Sequence, residues 1–181
     1  MKKNRSFTII EIMLAISIFT LVISSSIVLI QQTITAVSLD QSRLIAFYLA
    51  QEGIEITRNI RDNNWLEQSS SSSTSWDDGL SNNNYEADYV GLTLSSYVSP
   101  GRFLYIDNTN GFYFYPITSC PAPQCTKTKF TRKITISKLS DIALGTDFLY
   151  IESLVQWSEK GKDHTAKVAE RLYNWYGIET P

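Results

Sequence analysis

Residues 7–30 read FTIIEIMLAISIFTLVISSSIVLI, and the rest of the chain is organised around this stretch. Between Ile12 and Ile30 no residue is charged. That is close to the ~20 apolar residues a helix needs to cross a bilayer. Ahead of it stands MKKNRS, short and basic. By the positive-inside rule, Lys2, Lys3 and Arg5 hold this end in the cytoplasm and leave the remainder outside. One residue breaks the apolar run: Glu11, the fifth counting Phe7 as the first. A carboxylate in hydrocarbon is costly, so an acid at this depth reads as functional. Two things can offset the cost. The helix start favours negative charge, and a free amine, if one were created at Phe7, would pair with it.

Two plainer readings compete. A secretory signal has a basic start, an apolar core of about 7–15 residues and a small-residue cleavage site after it. Here the apolar run is longer and no clean A-x-A site follows, Ser24–Ser26 being the nearest substitute. The other plain reading is an uncleaved anchor.

Beyond Ile30 the chain turns polar without a helix breaker. The first glycine is Gly53 and the first proline Pro100. Leu39, Ala46, Leu49, Ala50, Gly53, Ile56 and Ile60 recur at steps of three and four, an amphipathic stripe. Asp40, Gln41, Gln51, Glu52, Glu55, Arg58 and Arg61 lie between them. The pattern predicts one helix from about Phe7 to about Asp62, on the order of 80 Å long. Residues 7–30 form its apolar half and 31–62 its amphipathic continuation, which packs on a head through the Ala/Leu/Gly stripe. A coiled-coil partner for that stripe is the alternative.

Residues 63–101 read as an irregular segment. Ser69–Ser73 is a low-complexity run, flanked by Asn63, Asn64, Asp77, Asp78, Gly79 and Asn82–Asn84. Such tracts are exposed loops or linkers, or here a contact loop. From 102 to 181 the pattern is that of strands. RFLYID and FYFYP flank NTNG, a hairpin with Asn110–Gly111 at the turn. FTRKITIS at 130–137 alternates, and FLYIESLVQW and HTAKVAERLYNW flank SEKGKD as a second hairpin. About five strands, mostly antiparallel, follow a long helix, so the fold class expected is α+β. Cys120 and Cys125 flank PAPQ. In an exported domain two cysteines this close form a loop disulfide, the alternative being two free thiols.

The 181 residues suit one anchor and one head of roughly 100–120 residues, large enough for a core without metals. Net charge is −2, which gives no bulk electrostatic case for nucleic acid or anionic lipid. One histidine and two cysteines make a poor stock for a metal site or a Cys/His nucleophile pair. His164 beside Asp163 has the elements of acid–base work but sits in a turn, where solvated polar residues belong. Asp77–Asp78 lacks the oxygen-rich spacing of a calcium loop. Trp65, Trp76, Trp157 and Trp175 read as core or rim aromatics. Lys127, Lys129, Arg132, Lys133 and Lys138 form a basic segment, read as an exposed strand face, with a DNA-contact face as the sharper alternative.

The basic leader, small residue, Phe, Thr, two Ile, Glu and long apolar helix together resemble the type IV prepilin signal of pilins, minor pilins and pseudopilins. LIAFYLAQEGIEITRNIRD at 44–62 is similar to the segment that closes the helix in minor pilins and minor pseudopilins. The resemblance implies a pilin-like α+β fold and a structural subunit rather than an enzyme. It implies that residues 1–6 are a leader which prepilin peptidase cuts off between Ser6 and Phe7, and that Phe7 is then N-methylated. It also implies that Glu11 neutralises a neighbouring subunit's N-terminal amine. The family favours Gly before the cut, and this chain has Ser6. The implied partners are the peptidase, other pilin or pseudopilin subunits and an inner-membrane assembly platform, with no cofactor, no metal and no nucleic acid. The implied course is insertion as a single-pass inner-membrane protein, head outside, then entry into a pilus or a type II secretion-like filament. A membrane-anchored protein displaying a β-rich binding head is the reading from another class.

Overall fold

The computed structural model describes residues 8–70, 74–90, 93–116, 120, 123–141 and 146–174. Helix α1 spans Ile9–Ser70. Seven strands follow: β1 Asn83–Ala87, β2 Leu94–Ser96, β3 Phe103–Asp107, β4 Tyr113–Phe114, β5 Cys125–Asp141, β6 Thr146–Glu159 and β7 Lys162–Tyr173. The chain divides into two compact units, Met1–Ser42 and Arg43–Pro181.

The first unit is the apolar start of α1. Its large side chains, from Ile9 through Val37, are uncovered. Its hydroxyls turn back on the helix. Ser17 donates to the carbonyl of Leu14, Thr20 to Ser17, Ser24 to Thr20, and Ser25 and Ser26 both to Val22. Thr33 and Thr35 do the same to Leu29 and Gln31. Such i−3 and i−4 bonds satisfy a hydroxyl where no water is available.

In the second unit the remainder of α1 lies on an antiparallel sheet. Ala46, Leu49, Ala50, Gly53, Ile54, Thr57, Arg61 and Trp65 are buried. This is the expected stripe, widened by Ile54, Thr57, Arg61 and Trp65. The helix closes most tightly on the sheet at Gly53. A Cβ there would fall 2.6 Å from Ser153 Oγ and 3.2 Å from Ile134 Cδ1. The helix also runs past the expected end at Asp62. Asn63 and Asn64 are weak helix formers, but tertiary packing overrides propensity. Trp65 is in the core and donates to Asn174 Oδ1 at 3.3 Å, and Asn64 Nδ2 reaches the carbonyls of Trp76 and Asp78.

β5 is the hub of the sheet. One of its edges carries β1 and β3 end to end, pairing Tyr85 with Ile134 and Phe103 with Thr131. The other carries β6 from Phe130↔Trp157 to Asp141↔Thr146, and β7 follows β6. β2 pairs with β1, and β4 with β3. Along β5, Phe130, Arg132, Ile134 and Ile136 are buried in alternation, the period-two signature of a half-covered sheet. Lys160 and Gly161, at φ +52° and +74°, close β6 and β7 in a two-residue turn that needs positive φ at both positions. The five strands read from the sequence are β3 to β7. β1 and β2 lie inside 63–101, which the sequence presents as irregular. NNYEA at β1 has no apolar alternation, and its Glu86 is buried only because Arg102 meets it.

Candidate functional site

The functional residues expected of the sequence lie at the start of α1. Ser6 and Phe7 fall outside the described residues. Thr8 is the N-cap. Its Oγ1 accepts the backbone N–H of Glu11 at 3.3 Å, and its carbonyl accepts from Glu11 and Ile12. Thr8-Ile9-Ile10-Glu11 is thus the T-x-x-E capping-box sequence, and the cap satisfies a donor that the first helical turn leaves orphaned. Glu11 sits in that first turn, where the helix field favours its charge. Its side chain is exposed, as are the apolar residues on either side of it. The T-x-x-E spacing is the sequence signal for the role of Thr8. Among the described residues, α1 is the one helix long and apolar enough to cross a membrane.

The head holds a second concentration of polar chemistry. The basic segment does not form one exposed face. Arg132 is fully buried. Its Nη1 donates to the carbonyl of Leu49 at 2.8 Å and lies 3.3 Å from Glu52 Oε2, and its Nη2 donates to the carbonyl of Ala87. One guanidinium therefore ties α1, β1 and β5 together. The exposed reading fails for Arg132 because its β5 position faces the helix, in phase with Phe130 and Ile134. Lys129 pairs with Glu159 and Lys138 with Asp77. Burial works to raise the Asp77 carboxyl, but hydrogen bonds from Lys138 and Ser75 outweigh it and hold the group below the ordinary value. Lys138 is raised, chiefly by its bond to Asp77.

Glu86, also fully buried, accepts from Arg102 Nε at 2.6 Å and from the backbone N–H groups of Arg102 and Val98. The Arg102 guanidinium lies over the Tyr115 ring. Burial pushes the Tyr115 phenol up to about 12, and its Oη donates to the Arg132 carbonyl. Neither Glu86 nor Tyr115 carries a signal in the sequence that separates it from an ordinary strand residue.

The other candidates are placed as follows. Cys120 and Cys125 are joined as a disulfide, with Cα atoms 6.1 Å apart. His164 stacks on Trp157 across the β6–β7 pair, and Asp163 is exposed. Trp65, Trp76 and Trp157 are core residues, and Trp175 lies outside the described residues. Among the described residues no three His, Cys, Asp or Glu side chains group so as to hold a metal.

Residues 1–27 match the family described as the prokaryotic N-terminal methylation motif. No curated protein matches the chain. No solved structure matches it either. The motif marks a structural subunit that associates with other pilins, anchored in the membrane by its apolar helix. The chain carries the type IV prepilin signal, the mark of a pilin- or pseudopilin-type precursor processed by prepilin peptidase, on a pilin-like α+β architecture.

Proposed function

We propose that this chain is a minor pilin or minor pseudopilin, a low-abundance subunit of a type IV pilus or a type II secretion-like filament. The observation that carries the reading is a prepilin motif over residues 1–27 on an apolar helix whose large side chains, from Ile9 to Val37, are exposed among the described residues. Cleavage falls between Ser6 and Phe7, and Phe7 becomes the methylated N-terminus. The basic leader is cytoplasmic and the head extracytoplasmic, in line with the positive-inside rule. Residues 31–62 carry the helix into the head. The inner-membrane assembly platform extracts the processed subunit from the bilayer.

Glu11 supplies the charge partner for the Phe7 amine of an adjacent subunit. An ammonium left unpaired in an apolar core is strongly unfavourable, so the pair favours one axial register over its neighbours. Mass spectrometry of the mature N-terminus tests the processing step: a methylated Phe7 supports it, and an intact leader sinks it. Glu11→Ala tests the assembly step. Membrane insertion and head folding should survive, while the fraction recovered in sheared filaments, or crosslinked to other pilins, should fall. Glu11→Asp should be intermediate. Normal incorporation of the Ala variant would favour a plain anchor displaying a binding head.

A further inference from the structure

On the head, a groove of about 330 Å³ is lined by Arg102, Phe103, Tyr105, Tyr115, Pro116 and Lys127. Its two cations are held in different ways. The Lys127 ammonium rests over the Phe103 ring, 4.1 Å from the centroid, and has no carboxylate partner among the described residues. That separates it from Lys129, Lys138 and Lys167, each of which has one. Arg102 is 43 % exposed, yet its Nε is fixed by a carboxylate that is fully buried. Glu86 takes only that edge of the guanidinium. The two Nη groups have no acceptor among the described residues, while Tyr115 backs the plane of the fork. A buried acid that orients the rear of a half-exposed arginine leaves its front pre-set for an anion. A planar fork of this kind matches a carboxylate.

The walls narrow the class of ligand. Tyr105 stands directly opposite Lys127 in the β3–β5 register, so an aromatic side chain adjoins the cation on the same face. At Tyr105 and Ile106 both edges of β3 are spent, on β4 and β5, so the floor there offers no free main chain to a peptide strand. Two cations, one of them partly neutralised by Glu86, are too few for a nucleic-acid backbone. The volume is at the small end of ligand pockets. We propose that this groove binds a carboxylated sugar, a uronic acid residue of an acidic saccharide. Its carboxylate lies on Arg102 and Lys127, and its ring lies against Tyr105 and Pro116.

The test is titration of the full-length protein in detergent micelles with digalacturonate, followed by saturation-transfer NMR and calorimetry. Saturable binding is expected. Lys127→Gln and Tyr105→Ala should each weaken it by about tenfold or more. Lys127 is exposed and Tyr105 half-buried, so the far-ultraviolet circular dichroism of the head should stay unchanged in both variants. Neutral digalactose should bind at least about tenfold more weakly than digalacturonate. A tetraglutamate peptide should not compete. Absence of saturable binding, equal binding of digalactose, indifference to both substitutions or competition by the peptide would each overturn the assignment.

Discussion

Gly53→Ala should destabilise the head through one contact, and a second substitution should repair it. In a helix interior alanine is favoured over glycine by about 1 kcal/mol. Against that gain, the new Cβ would meet Ser153 Oγ at 2.6 Å and Ile134 Cδ1 and Cγ1 at 3.2 and 3.3 Å. Overpacking of this kind costs about 1–3 kcal/mol. The net loss should therefore be about 1 kcal/mol, and at most about 2 kcal/mol. The Ser153 hydroxyl is buried and has no hydrogen-bond partner among the described residues. Ser153→Ala alone should then stabilise by about 1 kcal/mol, because an unsatisfied buried group is removed. In the Ser153→Ala background the closest clash is gone, and Gly53→Ala should become nearly neutral. The double-mutant cycle should give a favourable coupling of about 1 kcal/mol, within the range for residues in contact. Thermal unfolding of the full chain in mild detergent, followed by near-ultraviolet circular dichroism, reads this out at roughly 3–5 °C per kcal/mol. If Gly53→Ala melts at or above the wild-type temperature, or the two changes simply add, the helix does not close on the sheet at this point.

Arg132→Lys should cost about as much as loss of the side chain, roughly 3 kcal/mol, because one ammonium cannot reach the Leu49 and Ala87 carbonyls and Glu52 together. Urea unfolding would show it, and a wild-type midpoint for the lysine variant would refute it. The Tyr115 phenol has a raised folded value of about 12. Its contribution is therefore complete below the unfolded value near 10 and is lost as pH rises toward 12, on the order of 2–3 kcal/mol. Tyr115→Phe should abolish that part of the alkaline loss of stability, and an unchanged alkaline profile would count against it. The Cys120–Cys125 disulfide closes a short loop only, so its reduction should lower stability by no more than about 2 kcal/mol. Melting with and without reductant measures this.

The helix and the long strands were legible in the sequence because their burial is periodic. The Ala46–Gly53 stripe repeats at helical spacing, and β5 and β6 alternate over much of their length. What the periodicity does not encode is polar burial. Glu86 and Arg132 are charged residues at inward positions, and each is tolerated only because a partner distant in sequence meets it. That partnering is a property of the fold, so β1 read as loop and Arg132 as solvated surface. The helix end is hidden from the sequence for a related reason, since Trp65 and Asn64 find their partners at Asn174 and in 76–78. At the N-terminus the charged residue Glu11 stands out in an apolar run, while Thr8, polar but ordinary, does not.

The back-bonded hydroxyls of α1 carry a consequence for how such a helix changes surroundings. Ser17, Thr20, Ser24, Ser25 and Ser26 each spend their proton on a carbonyl of the same helix. Nothing on this stretch therefore has to break a bond with lipid before it can touch protein, or the reverse. To its neighbours the helix is a hydrocarbon surface with its polarity folded inward, so exchanging one apolar host for another moves the free energy very little. A segment built this way is a passenger between phases. Of its described residues, only Glu11 distinguishes one berth from the next.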